Sequence, residues 1–191
     1  MTAAQGQRGR PVSEEEFDRF FTDFLHTAFR LETLQKYDMT YEEEHFRRFL
    51  QGKDLGPSSA LDAWGHSLRQ KVREGRKHSR VHVVVEPLTD YVRFECVWAY
   101  QPNVAAGEDI RILPVKEGEW PQGIPCLDYW LFDSHHLVLM RYTPEGAMLP
   151  PELVDDSEQI VAANVWRDRA MHMSIPFVEY AKRFDAAMRS Q

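Results

Sequence analysis

Cysteines and long apolar runs are scarce in this sequence. Its 191 residues include only two cysteines, Cys96 and Cys126, which lie far apart and form no CxxC unit. That spacing is typical of a cytoplasmic protein with two free thiols, although a disulfide between them stays open. No apolar run approaches the roughly 20 residues that a membrane-spanning helix needs. The N-terminal stretch MTAAQGQRGRPVS lacks the apolar segment of a signal peptide. We therefore expect a cytoplasmic protein that does not enter a membrane.

Several familiar enzyme signatures are also absent. The sequence contains no GxGxxG, no Walker loop, no HExxH and no GxSxG, each of which ties a function to a local backbone geometry. His135 and His136 are adjacent on a predicted strand, where neighbouring side chains point to opposite faces and cannot readily share one metal ion. We therefore predict no metal site, no cofactor and no catalytic residue.

The charge balance is acidic. The formal net charge is −7 at pH 7, which argues against direct nucleic-acid binding. The charge is not uniform, because Lys and Arg occupy positions 69, 71, 73, 76, 77 and 80 while Glu74 is the single acid between them. This basic stretch could meet phosphates or an acidic partner protein. The alternative is a solvated helix face, which is the more frequent outcome for such a run.

The remaining composition is that of a soluble globular protein. Hydrophobic residues make up 43% and charged residues 28% of the chain, and a chain of this length suits one compact domain with its own core. We predict a flexible tail over residues 1–12, followed by a single domain over residues 13–191.

Periodic apolar patterns predict the order of the elements as three helices, a strand, a helix, three strands and two helices. Ser13 and Glu16 form a capping box at the start of the first helix. A phenylalanine stripe at helical spacing extends this helix to Phe29. Residues 88–101 fit both a helix and a strand, and Thr89 as an N-cap favours the helix.

A strand–helix–strand unit predicts a partly parallel sheet, and the hairpin after it adds antiparallel pairs. The predicted class is α/β, with a mixed sheet and helices packed on it, or α+β if residues 88–101 are extended. Residues 81–142 are expected to supply most of the sheet. The residues predicted to be buried on the apolar faces of their helices are Phe20, Phe24, Trp64 and Trp166.

Charged residues beside core strands form the candidate site. Burying a charge without a partner is costly, so such residues indicate either ion pairs or a pocket. The candidate ligand-binding residues are Arg30, Glu32, Tyr37, Arg80, Arg111, Asp128, Trp130 and Asp133. Two interpretations stay open: ion pairs that join helix to sheet, or a pocket whose arginines bind an anionic or nucleotide-like ligand.

The segments GEDIRILPV and LDYWLFDSHHLVLMRY, joined by a proline-rich loop, resemble half of a phospholipase D-like domain. That resemblance implies a His-x-Lys-x-x-x-x-Asp motif, whose histidine attacks phosphorus and whose lysine binds phosphate oxygens. Counting back from Asp133, Cys126 takes the histidine position and Asp128 takes the lysine position. A carboxylate there repels phosphate, so the resemblance implies a degenerate catalytic motif.

A second set of segments spans most of the chain, from near Phe17 to Tyr180. It comprises RLE at 30–32 with Tyr37, RV at 80–81 with PL at 87–88 and Tyr91, GEDIR at 107–111, and DYWLFD at 128–133. In these segments the chain resembles a bacterial family of unknown function, often encoded beside helix-turn-helix regulators. The resemblance implies no activity, but it makes such a regulator a candidate partner.

Three functional hypotheses follow. The favoured one is a non-catalytic regulatory or sensor protein that binds a small anionic ligand or a DNA-binding partner protein. The second is an enzyme of phosphoryl or nucleotidyl chemistry that uses Cys126 with Asp128 or a nearby histidine. The third is a toxin-like nuclease, which only the basic stretch supports. A homodimer stays open in each case.

Overall fold

The computed structural model describes residues 9–189. The helices are α1 Glu14–Asp23, α2 Glu43–Leu50, α3 Ser59–Arg73, α4 Asp90–Glu95, α5 Gln101–Ala106, α6 Ser157–Met173 and α7 Phe177–Arg189, with a π-helical turn, Cys96–Tyr100, between α4 and α5. The strands are β1 Arg10–Pro11, β2 Thr27–Glu32, β3 Lys77–Glu86, β4 Asp109–Lys116, β5 Asp128–Phe132, β6 His136–Met140, β7 Glu152–Val154 and β8 Ile175–Pro176.

The strands form one mixed sheet in the order β1-β7-β6-β5-β2-β3-β4-β8. β2 pairs in parallel with β3, and β3 pairs in parallel with β4, while the other neighbours are antiparallel. Helices connect both parallel pairs, as parallel strands require. The predicted class, a mixed sheet with helices packed on it, is confirmed, and most of the sheet comes from residues 81–142.

Residues 88–101 are helical, as the N-cap at Thr89 predicts. The Thr89 hydroxyl accepts a hydrogen bond from the Val92 N–H. The helical segment from α4 to α5 ends at Gly107, whose φ of 107° is left-handed and suits a residue without Cβ.

The predicted first helix is wrong at its C-terminal end. Ser13 caps α1 as expected, with its Oγ accepting from the Glu16 N–H at 3.1 Å. The helix ends at Asp23, however, and residues 27–32 form the strand β2 between β3 and β5. The phenylalanine spacing runs through this boundary, so local periodicity alone could not place it. Pairing with strands on both sides outweighs the helical pattern.

The folded part of the chain begins within the predicted tail. Arg10 and Pro11 form β1 and pair with β7, and Val12 is buried. Residues 1–8 of the predicted tail lie outside the described part of the chain.

Both faces of the sheet carry helices and a core. α6 packs on one face, against residues such as Phe29 and Leu31 of β2. α1, α3 and the segment from α4 to α5 pack on the opposite face. Of the four aromatic residues predicted to be buried, Phe24 is buried at 3% exposure, whereas the other three, Phe20, Trp64 and Trp166, are only partly buried.

Candidate functional site

Strand register brings five of the eight candidate residues to one face of the sheet. Arg30 on β2 lies beside Arg80 on β3 and Trp130 on β5. Side chains alternate along a strand, so Glu32 shares the face of Arg30, and Asp128 shares the face of Trp130. This is the face that α1 and α3 cover.

Arg30 and Asp128 form a buried ion pair. The Arg30 Nη2 donates to Asp128 Oδ2 at 3.2 Å and to the Tyr142 hydroxyl at 2.7 Å. Asp128 also accepts from the Thr33 backbone N–H at 2.8 Å and from the Tyr37 hydroxyl at 2.6 Å. Burial raises the pKa of the Asp128 carboxyl, while Arg30 and these hydrogen bonds oppose the rise. Asp128 is therefore fully engaged inside the protein.

Arg80 is also paired within the chain. Its Nη1 contacts both oxygens of Glu32 at 3.0 Å, and its Nε donates to Glu108 at 2.9 Å. Despite burial, Arg80 and Arg30 hold the pKa of the Glu32 carboxyl at about 2. The two arginines and their carboxylates thus form an ion-pair network, but it links neighbouring strands and the residue before β4, and not helix to sheet as one interpretation of the sequence predicted.

Two further carboxylates beside this network have no arginine or lysine partner among the described residues. Glu42 accepts from the Tyr91 hydroxyl at 2.5 Å. Glu95 has only long contacts, 3.4 Å to the Tyr100 hydroxyl and 3.7 Å to His82 Nδ1. Burial, followed by repulsion from Glu32 and Glu42, raises the pKa of Glu95 well above its usual value.

His82 does not supply the missing positive charge. Its Nε2–H donates to the Leu34 carbonyl at 2.7 Å, which leaves Nδ1 to accept from the Tyr100 hydroxyl at 2.8 Å. Burial lowers the pKa of His82, so the ring is neutral at physiological pH.

These groups surround a central cleft of about 380 Å³ on the same face of the sheet. Arg30, Glu32 and Arg80 line it from the strands, and Glu42, Glu95 and Asn103 line it from the helical side. Much of the remaining wall is aromatic, contributed by Tyr37, Tyr41, Trp64, Tyr91, Trp98 and Trp130. Its size lies within the range of small-molecule sites.

Three polar atoms of residues lining the central cleft have no hydrogen-bond partner in the described part of the chain. They are Arg30 Nη1, Trp98 Nε1 and Asn103 Oδ1. Their residues are only 4 to 5% exposed. Buried polar groups are rarely left unpaired, so these three atoms mark the part of the cleft wall whose hydrogen-bonding capacity is not used within the described part of the chain.

Two candidate residues lie away from the central cleft. Arg111 sits beside Val81 in the register, on the opposite face from Arg80, and its guanidinium binds the Oγ and carbonyl of Ser174. Asp133 lies in the turn between β5 and β6 with a left-handed φ of 49°. Its carboxylate accepts from three consecutive backbone N–H groups, those of Leu25, His26 and Thr27.

The bend at Asp133 is therefore a structural turn that holds the entry to β2. Its three backbone hydrogen bonds lower the pKa of the Asp133 carboxyl despite partial burial. The motif positions before it are not arranged as a nucleophile with a cation. Cys126 is exposed, and burial together with Asp128 raises the pKa of its thiol, which keeps it protonated.

The candidate residues predicted from the sequence did not include Glu42, Glu95, Trp98 and Asn103, which also line the central cleft. Glu95 left a signal, because it is the one acid within the apolar stretch YVRFECVW and needs an explanation if that stretch is buried. Glu42 left none, because it lies among the exposed acids at the start of α2.

The basic stretch does not form a continuous basic surface. Lys71 is buried and Arg80 belongs to the ion-pair network, whereas Arg76 pairs with Glu74 and lies over the ring of Phe24. Arg69, Arg73 and Lys77 remain exposed as cations.

Residues 9–189 contain no cluster of metal ligands and no membrane-spanning helix. In that range no three or more His, Cys, Asp or Glu side chains form a group that could hold a metal ion. In the same range no helix has both the length and the apolar character to cross a membrane.

A solved structure that the chain resembles is that of TrmBL2, described as an archaeal chromatin protein that shows a novel mode of DNA binding. The match has a TM-score of 0.47 and 7% sequence identity, and it covers 89% of this chain and 53% of that chain. This chain thus spans about half the length of that one. The finding contradicts the prediction from net charge that argued against direct nucleic-acid binding, and that prediction is withdrawn. A similarity at this TM-score does not show that this chain itself binds DNA.

No curated protein matches the chain. A protein-family model does match, over residues 15–182, which include both sides of the central cleft and nearly the whole sheet. The chain therefore belongs to the family described as Domain of unknown function (DUF6879).

Proposed function

We propose that this protein is a non-catalytic sensor that binds one small organic molecule in the central cleft. The observation that carries the proposal is the set of unpaired buried atoms on Arg30, Trp98 and Asn103, all on residues lining one cleft. Leaving a buried donor or acceptor unpaired costs about 1–3 kcal/mol each. These atoms are closed off from solvent in the unbound protein, so a ligand recovers this energy when the cleft wall adjusts to admit it.

Ion pairs occupy the strand side of the central cleft, and the helical side is left for a ligand. The pairs of Arg30 with Asp128 and of Arg80 with Glu32 and Glu108 form the floor of the central cleft. Because both guanidinium groups are already paired with carboxylates, we do not retain the anionic ligand predicted from the arginines. The helical wall, with Glu42, Glu95, Trp98 and Asn103, and the unpaired Nη1 of Arg30 are the parts left for ligand recognition.

Catalysis is the weaker alternative. An enzyme that used Cys126 would need a thiolate, but the raised pKa of this thiol works against one. Asp128 is occupied by Arg30, Thr33 and Tyr37, so it is not free to act as a base. The nuclease hypothesis loses its support because Lys71 and Arg80 of the basic stretch are turned to the interior.

A regulatory role rests on the resemblance to a bacterial family encoded near helix-turn-helix regulators. A phospholipase D-like origin of residues 107–142 likewise rests on the order GEDIRILPV then LDYWLFD. The free thiols of Cys96 and Cys126 support a cytoplasmic location, where thiols are kept reduced.

Native mass spectrometry of protein purified from its own cells tests the proposal. Ala60 is exposed and lines the cleft, whereas Ala63 is exposed on the same helix, α3, and does not line it. We expect wild type and Ala63→Trp to carry one small molecule per chain, and Ala60→Trp to lose it. If wild type carries no molecule, or if both variants carry it equally, the proposal fails.

A further inference from the structure

The charge and the hydrogen-bonding groups of the central cleft limit the chemical class of its ligand. We infer that the ligand is a planar aromatic cation of the amidine type, whose N–H groups bind Glu95 and Asn103 on the helical wall. This inference rests on the proposed function and adds to it the chemical class of the molecule.

Carboxylates outnumber cations around the central cleft. The two arginines, Arg30 and Arg80, face five buried acids, which are Glu32, Glu42, Glu95, Glu108 and Asp128. Both arginines are held in ion pairs by three of these acids, Glu32, Glu108 and Asp128. The three paired acids exceed the two arginines by one negative charge, which opposes an incoming anion, whereas a cation neutralises this charge and favours ionisation of Glu42 and Glu95.

The unpaired carboxylates lie on the side that also has room for a ligand. Glu95, Ala99 and Asn103 follow one another at four-residue spacing along the helical segment from α4 to α5, and all three line the cleft. The small side chain of Ala99 leaves space between the other two. Glu95 and the Asn103 Oδ1 therefore present acceptors on both sides of that space, which suits a group with several N–H donors.

The aromatic walls favour a flat cation over a compact ammonium ion. Ring faces attract cations, and planar delocalised cations also stack on them. Trp98 packs against the rings of Phe94 at 5.0 Å, His45 at 5.2 Å and Tyr41 at 6.3 Å, and its unpaired Nε1–H is the polar group that it offers to a ligand. Because Arg30 Nη1 is a second unpaired donor, the complete ligand carries an acceptor atom in addition to its amidine edge.

The high pKa of Glu95 follows from the same arrangement. A carboxyl group that is buried beside Glu32 and Glu42 resists ionisation until a cation is placed next to it. The titratable groups around Glu95 are the carboxyls of Glu32 and Glu42, the Arg80 guanidinium, the neutral His82 ring, the Cys96 thiol, and the hydroxyls of Tyr41, Tyr91 and Tyr100. Only Arg80 among them is cationic, and it is paired elsewhere.

The test uses three probes of nearly the same shape in isothermal titration calorimetry at pH 8. Benzamidine is the cation, benzamide the neutral analogue and benzoate the anion. We expect benzamidine to bind with 1:1 stoichiometry, benzamide to bind on the order of tenfold more weakly or worse, and benzoate not to bind. Ala60→Trp should abolish benzamidine binding, and Ala63→Trp should retain it.

Two charge variants locate the interaction. Glu95→Gln should weaken benzamidine binding on the order of tenfold while leaving benzamide unchanged, because only the cation loses its counter-charge. Glu117→Gln removes an exposed acid outside the cleft and should change neither affinity.

The outcomes separate this inference from the proposed function. Benzoate binding as tightly as benzamidine overturns the cationic class, while a molecule lost in Ala60→Trp still supports a ligand site. Equal affinity of Glu95→Gln and wild type for benzamidine also overturns the inference. If no probe binds, but the protein from its own cells carries a small molecule that Ala60→Trp loses, the amidine class is wrong and the ligand site stands. If no probe binds and no molecule is carried, both proposals fall.

Discussion

The position of Glu95 in the interior links its chemistry to the stability of the fold. It is 6% exposed, and its closest polar contacts, to Tyr100 and His82, are long. A buried carboxyl with so few partners favours its protonated form. The free energy of unfolding therefore depends on pH through this residue.

We predict that Glu95→Gln is more stable than wild type at pH 8. In the unfolded chain a glutamate ionises near pH 4.3, whereas the raised pKa in the folded protein delays ionisation. Between these two pKa values the folded protein holds more protons, so its stability falls as pH rises. Each unit of separation corresponds to roughly 1.4 kcal/mol. Urea unfolding at pH 4 and pH 8 measures the effect.

The difference in the free energy of unfolding between variant and wild type should become small at pH 4, where a glutamate in the unfolded chain is mostly protonated. Glu117→Gln, at an exposed position, serves as the control and should follow wild type at both pH values. A Glu95→Gln variant that is less stable than wild type at pH 8 would show that the carboxylate is stabilised by its surroundings.

At the scale of residues, the sequence predicted the site residues on the strands better than those on the helical side of the central cleft. Arg30, Arg80 and Asp128 stood out because charges beside apolar strands need partners. Arg111 was wrongly grouped with Arg80. In the register of β3 and β4, Arg111 pairs with Val81, so its side chain points to the opposite face of the sheet from Arg80. That register depends on strand pairing, which the local sequence does not state.

At the scale of elements, the junction between α1 and β2 decides the architecture. The sequence predicted one helix through Phe29, yet three consecutive N–H groups, those of Leu25, His26 and Thr27, bind the Asp133 carboxylate instead of helical carbonyls. Asp133 is more than a hundred residues away along the chain, so no local pattern contains this contact. The N-cap at Thr89, by contrast, acts within its own turn and was predicted correctly.

We predict that Asp133→Asn destabilises the protein by about 1–2 kcal/mol, the range expected for loss of charge-assisted hydrogen bonds at a partly exposed site. Asparagine tolerates the left-handed φ of 49°, but its NH₂ group cannot accept from the Leu25 N–H. Thermal and urea unfolding at pH 7 measure the change. Asp18→Asn, an exposed position on α1, should leave stability unaltered.

The pH dependence of this variant has the opposite sign to that of Glu95→Gln. The folded-state pKa of Asp133 is lowered, so its contribution is complete above the unfolded value near 3.9 and is lost as pH falls through the folded value. The gap between wild type and Asp133→Asn should therefore close below about pH 4. A difference in stability that persists below this pH would mean that the shape of the Asp133 side chain, and not its charge, stabilises the turn.

At the scale of the whole molecule, one sheet joins segments from both ends of the chain. β1 and β8 are its edges, and β2 lies inside it between β5 and β3. The core on the face of α6 and the core on the face of the central cleft share these strands, because alternate residues of β2 belong to each. Neither core can lose its strands without exposing the other, so we expect one cooperative unfolding transition.

The tryptophans allow each face to be followed separately. Trp120 and Trp166 pack on the α6 face, whereas Trp64, Trp98 and Trp130 pack on the cleft face. In the double variant Trp120→Phe with Trp166→Phe, fluorescence reports on the cleft face alone. In the triple variant Trp64→Phe, Trp98→Phe and Trp130→Phe, fluorescence reports on the α6 face. Within each variant, we expect the urea midpoint from fluorescence to equal the midpoint from far-ultraviolet circular dichroism.

Comparing two probes within one protein removes the effect of the substitutions on overall stability, because both probes then refer to the same equilibrium. A cleft-face midpoint that precedes the dichroism midpoint would mean that the helical wall opens before the sheet. The central cleft would then be a locally unstable region, whose opening would give a ligand access to Glu95 without unfolding the sheet. Coincident midpoints would instead require entry through the mouth lined by Tyr41 and Ala60, which is the route that Ala60→Trp blocks.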